Sequence, residues 1–318
     1  MFINLRWVVC ASLAVSSMVG ADAGLLSMVM PEANVVAGID VVRAKNSTFG
    51  QFVLRNLSNE HKDLEKLALS TGFDPRRDLQ EVLFASADPR GKSSKGLIVA
   101  RGTFSPSRLT AALREQGMEV GQTIAGVEVY EKKGSSGAFA FLENGLLVMG
   151  EGAAVRGAIS RRQAPAALSQ PTLDKVQSLS RDNDIWMVTT LPVSEMAEKV
   201  PGRAPGSQTM SGMMKGDAFR GIEQAAMGIQ FAANLLNVTL EAAARSTADA
   251  AALTDVVRFL ASMVQLKSNG GELSGLATAM ETMKLTTTDN QVRMTMSVPQ
   301  TEVEKLILKR KAKTRRTA

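Results

Sequence analysis

The chain has 318 residues, enough for one large domain or two of ordinary size. With 45% hydrophobic and 21% charged residues the composition is globular, which excludes a largely disordered protein. The net charge of +6 comes from the C-terminus, since without its basic cluster Lys plus Arg equals Asp plus Glu. The cluster consists of Lys309, Arg310, Lys311, Lys313, Arg315 and Arg316. Basicity confined to a tail argues against a broad nucleic-acid-binding face.

The first 23 residues are typical of an export signal. Arg6 precedes an apolar stretch over 7–20, and Ala21-Asp22-Ala23 fits a small-x-small cleavage site. We therefore expect cleavage after Ala23 and a periplasmic or secreted protein. The rival interpretation is an uncleaved anchor, although the apolar stretch is shorter than the ~20 residues that span a bilayer.

The only cysteine, Cys10, lies inside this proposed signal. A cleaved chain would therefore have no disulfide, no thiolate nucleophile and no cysteine-ligated metal. An exported protein without cysteine fits a bacterial envelope better than a eukaryotic secretory route.

Short strands and helices are predicted along the whole chain in two series. In the first series strands are predicted at 34–42, 81–87, 95–104, 127–131, 137–143 and 146–149, and helices at 47–57, 59–70, 105–115 and 153–161. In the second series strands are predicted at 185–190, 222–232, 237–245, 283–288 and 291–298, and helices at 193–200, 247–267 and 301–311. Asn144-Gly145 and Asp289-Asn290 are turn pairs that favour hairpins.

The similar order of elements in the two series predicts a duplicated α+β unit. Each unit is expected to be a ferredoxin-like antiparallel sheet with helices on one face, and the two sheets either merge into one layer or form separate domains. The predicted organisation is a signal at 1–23, units at 24–162 and 183–308, a linker at 163–182 with a helix at 173–179, and a basic tail at 309–318.

Two glycine motifs resemble nucleotide-binding loops without meeting their requirements. Gly91-Lys92-Ser93 lacks the first glycine of a phosphate-binding loop, and a strand pattern follows it where a helix should begin. Gly150-Glu151-Gly152 precedes a helix, but its incoming strand belongs to a hairpin and not to a parallel crossover. We therefore predict no nucleotide cofactor.

Candidate catalytic groups are scarce, and we predict that the protein is not an enzyme. The only histidine, His61, lies in a highly charged helical stretch typical of a solvated surface. Two carboxylate pairs, Asp182 with Asp184 and Asp74 with Asp78, are candidates for a cation site, although such pairs are usually turns. We predict no metal and no cofactor.

Two segments are candidates for binding. The loop over 201–216 is rich in Gly, Ser, Pro and Met, and could act as a lid over an apolar ligand. The candidate lid residues are Met210, Met213, Met214 and Met227. The basic tail is either a solvated helix end or a contact with an anionic membrane surface, and no nucleic-acid partner is expected.

Three stretches carry a family resemblance: MPEANVVAGID at 30–40, GFDPRRD at 72–78 and GLIVARGTF at 96–104. With these stretches the chain resembles a loose group of predicted exported bacterial proteins that look like duplicated α+β chains without assigned activity. The resemblance implies export and fold, and it implies no function.

The sequence therefore predicts an exported envelope protein that acts as a non-catalytic interaction or structural module, through a sheet face or the loop at 201–216. The alternative is a carrier of an apolar small molecule or lipid beneath the Met-rich loop. The partner is either a protein or an apolar ligand.

Overall fold

The protein forms one antiparallel sheet of twelve strands with helices packed against it. The structure, a computed structural model, describes residues 20–57, 62–88, 96–143, 145–164, 168–192, 217–267 and 274–317.

The strands follow the chain in the order of their numbers. They are β1 (Val35–Asp40), β2 (Leu79–Ser86), β3 (Gly96–Gly102), β4 (Met118–Ile124), β5 (Val127–Lys132), β6 (Gly137–Leu142), β7 (Leu146–Glu151), β8 (Ile185–Thr189), β9 (Ile222–Phe231), β10 (Leu235–Ala244), β11 (Lys284–Thr288) and β12 (Gln291–Pro299).

Helices connect and flank these strands. They are α1 (Ala23–Leu26), α2 (Val41–Asn46), α3 (Thr48–Leu57), α4 (Lys62–Thr71), α5 (Pro75–Asp78), α6 (Pro106–Glu115), α7 (Gly152–Arg161), α8 (Gln170–Asp182), α9 (Asp217–Arg220), α10 (Thr247–Lys267), α11 (Ser274–Glu281) and α12 (Gln300–Thr317).

The sheet is built from two runs of strands that meet at β1 and β8. Across the sheet the order is β11-β12-β10-β9-β8-β1-β2-β3-β7-β6-β5-β4. Reading outwards from the centre, β1-β2-β3-β7-β6 corresponds to β8-β9-β10-β12-β11. The hairpin of β4 and β5 extends the first run only. The two central strands are antiparallel, with Val35 opposite Thr189 and Ile39 opposite Ile185.

Helices cover both faces of this sheet. Ala225 and Ala226 are neighbours on β9 and therefore point to opposite faces. Ala225 packs in a cluster with Leu253 and Leu260 of α10, whereas Ala226 belongs to the main core with Val176 of α8. We call the Ala226 side the inner face and the Ala225 side the outer face.

The main core lies on the inner face beneath α1, α7 and α8. Alternate strand residues supply it, and the fully buried ones include Leu83, Val99 and Val148. Val155 of α7 and Val176 of α8 close over them without measurable exposure. Burial of such side chains contributes roughly 1.5–3 kcal/mol each.

The predicted elements are confirmed in the described chain, with additions. β4, α11 and the short helices α1, α5 and α9 were not predicted. α2 begins at Val41, inside the predicted first strand, because the Asp40 carboxylate accepts the Arg43 N–H (2.9 Å) and caps the helix. α8 occupies most of the segment predicted as a linker. The predicted helix at 193–200 and the loop at 201–216 lie outside the described residues.

Two details of the predicted fold class differ from the structure. A ferredoxin-like unit would place a third strand between two strands joined by a helix. Here β1 and β2 are direct antiparallel neighbours, with Val36 opposite Ala85, so ferredoxin-like units are not confirmed. Helices also pack on both faces and not on one, because both faces present apolar side chains. The single merged layer and the α+β class are confirmed.

Candidate functional site: an open polar sheet face

Beyond β9 the side chains on the inner face change from apolar to polar. Along β10 the residues on the outer face are mostly apolar, whereas Asn237, Thr239 and Glu241 point to the inner face. The same alternation continues on the next two strands. We call the resulting surface the open polar face, formed by Gln224, Gln230, Asn237, Thr239, Glu241, Thr286, Thr288, Gln291, Arg293, Thr295 and Ser297.

Among the described residues, the helices that cover the inner face stop short of this surface. α8 packs over β8, β9 and β1, and it is the last described helix on that side. A polar half-face is usual for an antiparallel sheet, since one side can face water. Here the polar half adjoins a helix, so the step between them forms a groove.

The groove contains two clefts at the side of α8. The larger one has a volume of about 510 Å³ and lies between Lys175 and Ser178 of α8 and the strands that carry Glu241, Thr286 and Arg293. The smaller one, about 210 Å³, shares Ser178, Glu241 and Arg293 with it. The two clefts are therefore parts of one polar groove.

A carboxylate held by two cations lies at the centre of this groove. Lys175 Nζ is 2.6 Å from one oxygen of Glu241, and an Arg293 nitrogen is 3.6 Å from the other. Glu241 is 14% exposed and Arg293 is 59% exposed, so the guanidinium group remains available to solvent or a partner. The acids Asp174 and Asp182 lie at the two ends, which keeps the groove near neutrality.

Uncharged hydrogen-bonding groups make up most of the remaining surface, and the exposed Lys284 of β11, opposite Thr295, adds one further cation at its edge. Ser297 Oγ donates to Asn237 Oδ1 (2.9 Å), and Asn237 Nδ2 donates to Gln230 Oε1 (3.1 Å). Among the described residues that line the clefts, none is aromatic, so the stacking that sugar rings favour has no platform here. The arrangement suits a ligand that exchanges many neutral hydrogen bonds, as a polypeptide segment does.

The candidate lid methionines are not brought together in the described chain. Met227 lies on the outer face of β9, half-buried and opposite Met187. The other three, Met210, Met213 and Met214, lie outside the described residues. The lid therefore stays a prediction.

The basic tail continues the last helix. α12 extends to Thr317, past the predicted helix end at 311, and so includes the six basic residues from Lys309 to Arg316. The apolar residues Leu306 and Leu308 precede this cluster, and they are 53% and 47% exposed.

The predicted carboxylate pairs serve the fold. Asp74 caps α5 and pairs with Arg76 (2.6 Å), and Asp78 pairs with Arg77 (2.6 Å), so hydrogen bonds from these guanidinium groups lower both carboxyl pKa values against burial. Asp184 is buried and accepts the Phe231 N–H (2.6 Å). Burial raises the pKa of Asp184, against the lowering effect of that N–H.

Asp182 points elsewhere than its predicted partner. It lies at the C-terminal end of α8 and lines the smaller cleft, whereas the carboxylate of Asp184, which precedes β8, accepts the Phe231 N–H of β9. Within the described part of the chain no group of three His, Cys, Asp or Glu is arranged to hold a metal ion.

The glycine motifs lie in antiparallel surroundings. The segment with Gly91-Lys92-Ser93 is outside the described residues, but it joins β2 to its direct antiparallel neighbour β3. Gly150 lies on β7, which pairs antiparallel with β3 and β6, so the parallel crossover of a dinucleotide site is missing from this described region. His61 also lies outside the described residues.

Binding through a sheet face was predicted in general terms, but no residue of the open polar face was predicted. In the sequence its residues look like the solvated side of ordinary strands. The available signal was the polar alternation of Asn237, Thr239 and Glu241, repeated at Arg293 and Thr295. Nothing in that pattern shows that the strands are neighbours.

Fold and site together define an α+β protein with one continuous antiparallel sheet and an open polar groove. In the described residues no helix is both long and apolar enough to cross a membrane. No protein-family model matches the chain, and no curated protein matches it.

Solved structures of TP0453 are similar in fold. Crystal form I matches with a TM-score of 0.50 and 11% identity, covering 91% of this chain and 98% of that one. Crystal form IV matches with a TM-score of 0.53 and 12% identity, covering 89% and 95%. At this identity the likeness concerns the fold alone.

Proposed function

We propose that this protein is an exported, non-catalytic interaction module that binds a polar segment of a protein partner along the open polar face. The observation that supports this proposal is the groove beside α8, where the nine other polar residues of the open polar face surround the Lys175–Glu241–Arg293 cluster. Neutral hydrogen bonds would provide most of the contacts, and the exposed Arg293 guanidinium would fix the register of a partner carboxylate or carbonyl.

Export and the two-unit organisation belong to the same proposal. Export is supported by the charged, then apolar, then small-residue order of the first 23 residues. Duplication of an α+β unit is supported by the matching strand orders on either side of β1 and β8. The resemblance to a loose group of exported bacterial proteins is consistent with both.

Site-directed crosslinking tests the groove. A cleaved chain would contain no native cysteine, so single cysteines can be placed cleanly. Thr286→Cys puts the crosslinker on β11 in the groove, and Thr123→Cys is the matched control, an exposed threonine on the edge strand β4 at the opposite end of the sheet. We expect a discrete protein adduct from envelope extracts with Thr286→Cys and not with Thr123→Cys.

The adduct must also depend on the chemistry of the groove. Arg293→Ala in the Thr286→Cys background removes the exposed guanidinium group, and we expect at least a fivefold loss of the adduct. Equal adducts at both positions, or an adduct insensitive to Arg293→Ala, would contradict binding at the open polar face.

A carrier of an apolar ligand is the second candidate, and an apolar row on the outer face favours it. Half-buried residues stand opposite one another across ten strands, and they form a continuous band. These residues are Leu285, Met294, Leu240, Met227, Met187, Ala37, Phe84, Ile98, Met149 and Phe139. Native mass spectrometry of protein purified gently from its envelope tests this: a reproducible added mass of lipid size supports a carrier, and a clean unliganded mass contradicts a tight one.

Contact of the basic tail with an anionic membrane surface is a further part of the partner proposal. Each basic residue near such a surface would contribute roughly 1 kcal/mol, and binding would weaken with salt. Sedimentation with anionic and with neutral vesicles tests it, because equal binding to both would exclude the electrostatic contact.

A further inference from the structure

Glu81 lies in an acidic corner of the inner face, at the end of β2. Asp40 on β1 and Arg101 on β3 are its direct cross-strand neighbours. Asp40 is paired with Arg43 (2.7 Å), and Arg101 is paired with Asp22 (2.8 Å). Each of the two cations is paired with another carboxylate, although Arg101 also attracts Glu81 from the neighbouring strand. Among the hydrogen bonds of the described chain, Glu81 accepts only the backbone N–H of Asp22, at 3.2 Å.

Asp22 is an integral part of the fold. Its Oδ1 accepts the N–H groups of Gly24 (2.7 Å) and Leu25 (3.2 Å), which caps α1, and its Oδ2 pairs with Arg101. The cap orients the chain at the point where Leu25 enters the core without measurable exposure. Cleavage after Ala23, the site predicted from small residues alone, would remove both the cap and the ion pair.

We propose that export cleaves the chain between Ala21 and Asp22, and that the new α-ammonium group of Asp22 forms an ion pair with Glu81. Hydrolysis of this peptide bond by a signal peptidase consumes one water: Ala21 leaves with a carboxylate, and the Asp22 nitrogen becomes an ammonium group. The inference rests on the proposed export. Ala21 supplies the small residue before the scissile bond, with Val19 at the second recognition position.

The charge balance of the corner favours this terminus. Before cleavage, burial and then repulsion from Asp22 and Asp40 raise the pKa of Glu81 to about 7. An ammonium group at the position of the Asp22 nitrogen turns a neutral hydrogen bond into a charge-assisted one. It also adds a third cation to a corner in which three neighbouring carboxylates have only Arg43 and Arg101 as ion-pair partners.

Removing Ala21 removes one methyl group that packs, partly buried, against the main core. Its N–H donates to Ser180 Oγ (2.7 Å), and this hydrogen bond disappears on cleavage. Ser180 keeps a partner, because its hydroxyl also donates to the Gln177 carbonyl (3.3 Å).

The intact mass of the exported protein tests the cleavage site. The full chain with its own N-terminus is expressed in a bacterial host, isolated from the envelope and weighed. A mature chain that starts at Asp22 is the expected result. A start at Gly24 or another nearby residue overturns this inference while leaving export standing, and an uncleaved chain that starts at Met1 overturns both.

The reactivity of the α-amine tests the ion pair separately. A carboxylate partner holds the ammonium group protonated, so acylation of the α-amine at pH 7 should be at least threefold slower in the mature protein than in its Glu81→Gln variant. Gln preserves the shape of Glu and an amide oxygen that can still accept a hydrogen bond, which keeps the corner folded. Equal acylation rates would overturn the ion pair even if the chain starts at Asp22.

Discussion

The seam between β1 and β8 depends on the lack of a side chain at Gly38. The Trp186 ring of β8 lies across this position, 2% exposed. A Cβ on residue 38 would be 2.4 Å from Trp186 Cζ2 and 2.5 Å from Cε2. These distances are about 1 Å inside ordinary carbon–carbon contact, so Gly38→Ala forces the indole ring or the strand to move.

The expected cost follows from overpacking a core with no room to relax. Inserting a methyl group into a close-packed site costs about 1–3 kcal/mol, and a rigid ring held on the neighbouring strand favours the upper end. We therefore expect Gly38→Ala to lower the free energy of unfolding by roughly 3 kcal/mol.

Urea unfolding followed by tryptophan fluorescence measures this cost. Of the two tryptophans, Trp7 lies in the proposed signal, so Trp186 is the single probe in a cleaved chain, and it lies at the seam. Gly137→Ala on β6 is the matched control, because its Cβ would meet nothing closer than 3.5 Å. The control should be neutral or stabilising by a few tenths of a kcal/mol, since alanine restricts the unfolded chain.

A double-mutant cycle identifies the ring as the cause. With Trp186→Leu as the second change, monitored by circular dichroism, Gly38→Ala should cost at least about 1 kcal/mol less than in the wild type. An equal cost in both backgrounds, or a Gly38→Ala variant as stable as the Gly137→Ala control, would refute the steric argument.

Three further changes test the electrostatics and the core. In the uncleaved chain, Glu81→Gln should stabilise the fold by roughly 2 kcal/mol above pH 7 and by little below about pH 4.5. The folded pKa of Glu81 is raised to about 7, so the stability of the wild type falls as the pH rises from about 4.5 to 7. Parallel profiles of urea stability against pH for the two proteins would contradict this. Glu241→Gln should cost roughly 1–2 kcal/mol, because it leaves the Lys175 ammonium partly buried without its carboxylate, and most of the loss should disappear in a Lys175→Met background, since Arg293 is exposed and farther away. Val155→Ala should cost about 2–3 kcal/mol by thermal unfolding, because the residue has no measurable exposure, and an unchanged midpoint would place α7 off the sheet.

The local elements of this fold could be predicted because their patterns are local. Apolar spacing along α10 and the turn pairs before Leu146 and Gln291 are visible within a few residues. β4 was missed because its side chains are almost all exposed, so no apolar alternation marks it. α11 was missed because the glycines around it suggest a break.

The candidate site could not be predicted because it depends on distant pairing. Glu241 meets Arg293 through the pairing of β10 with β12, and it meets Lys175 because α8 packs over β9. Neither contact leaves a trace in the spacing of residues. The corner around Glu81 is equally non-local, since Asp22, Asp40 and Arg101 come from three separate segments.

The two runs of strands show why one polar face stays open. The hairpin of β6 and β7 presents Ala140 and Val148 to the inner face, and α7, which follows it, packs there through Val155. The corresponding hairpin of β11 and β12 presents Thr286 and Arg293 to the same face.

The helix that follows the second hairpin takes the other side of the sheet. Val303 and Ile307 of α12 pack with Phe49 and Leu236 on the outer face. An amphipathic helix packs on the sheet face whose apolar side chains can bury its own apolar side. The inner face is polar at this hairpin, so α12 packs on the outer face. Within the described chain, the same residues that line the groove therefore also explain why α12 does not cover it.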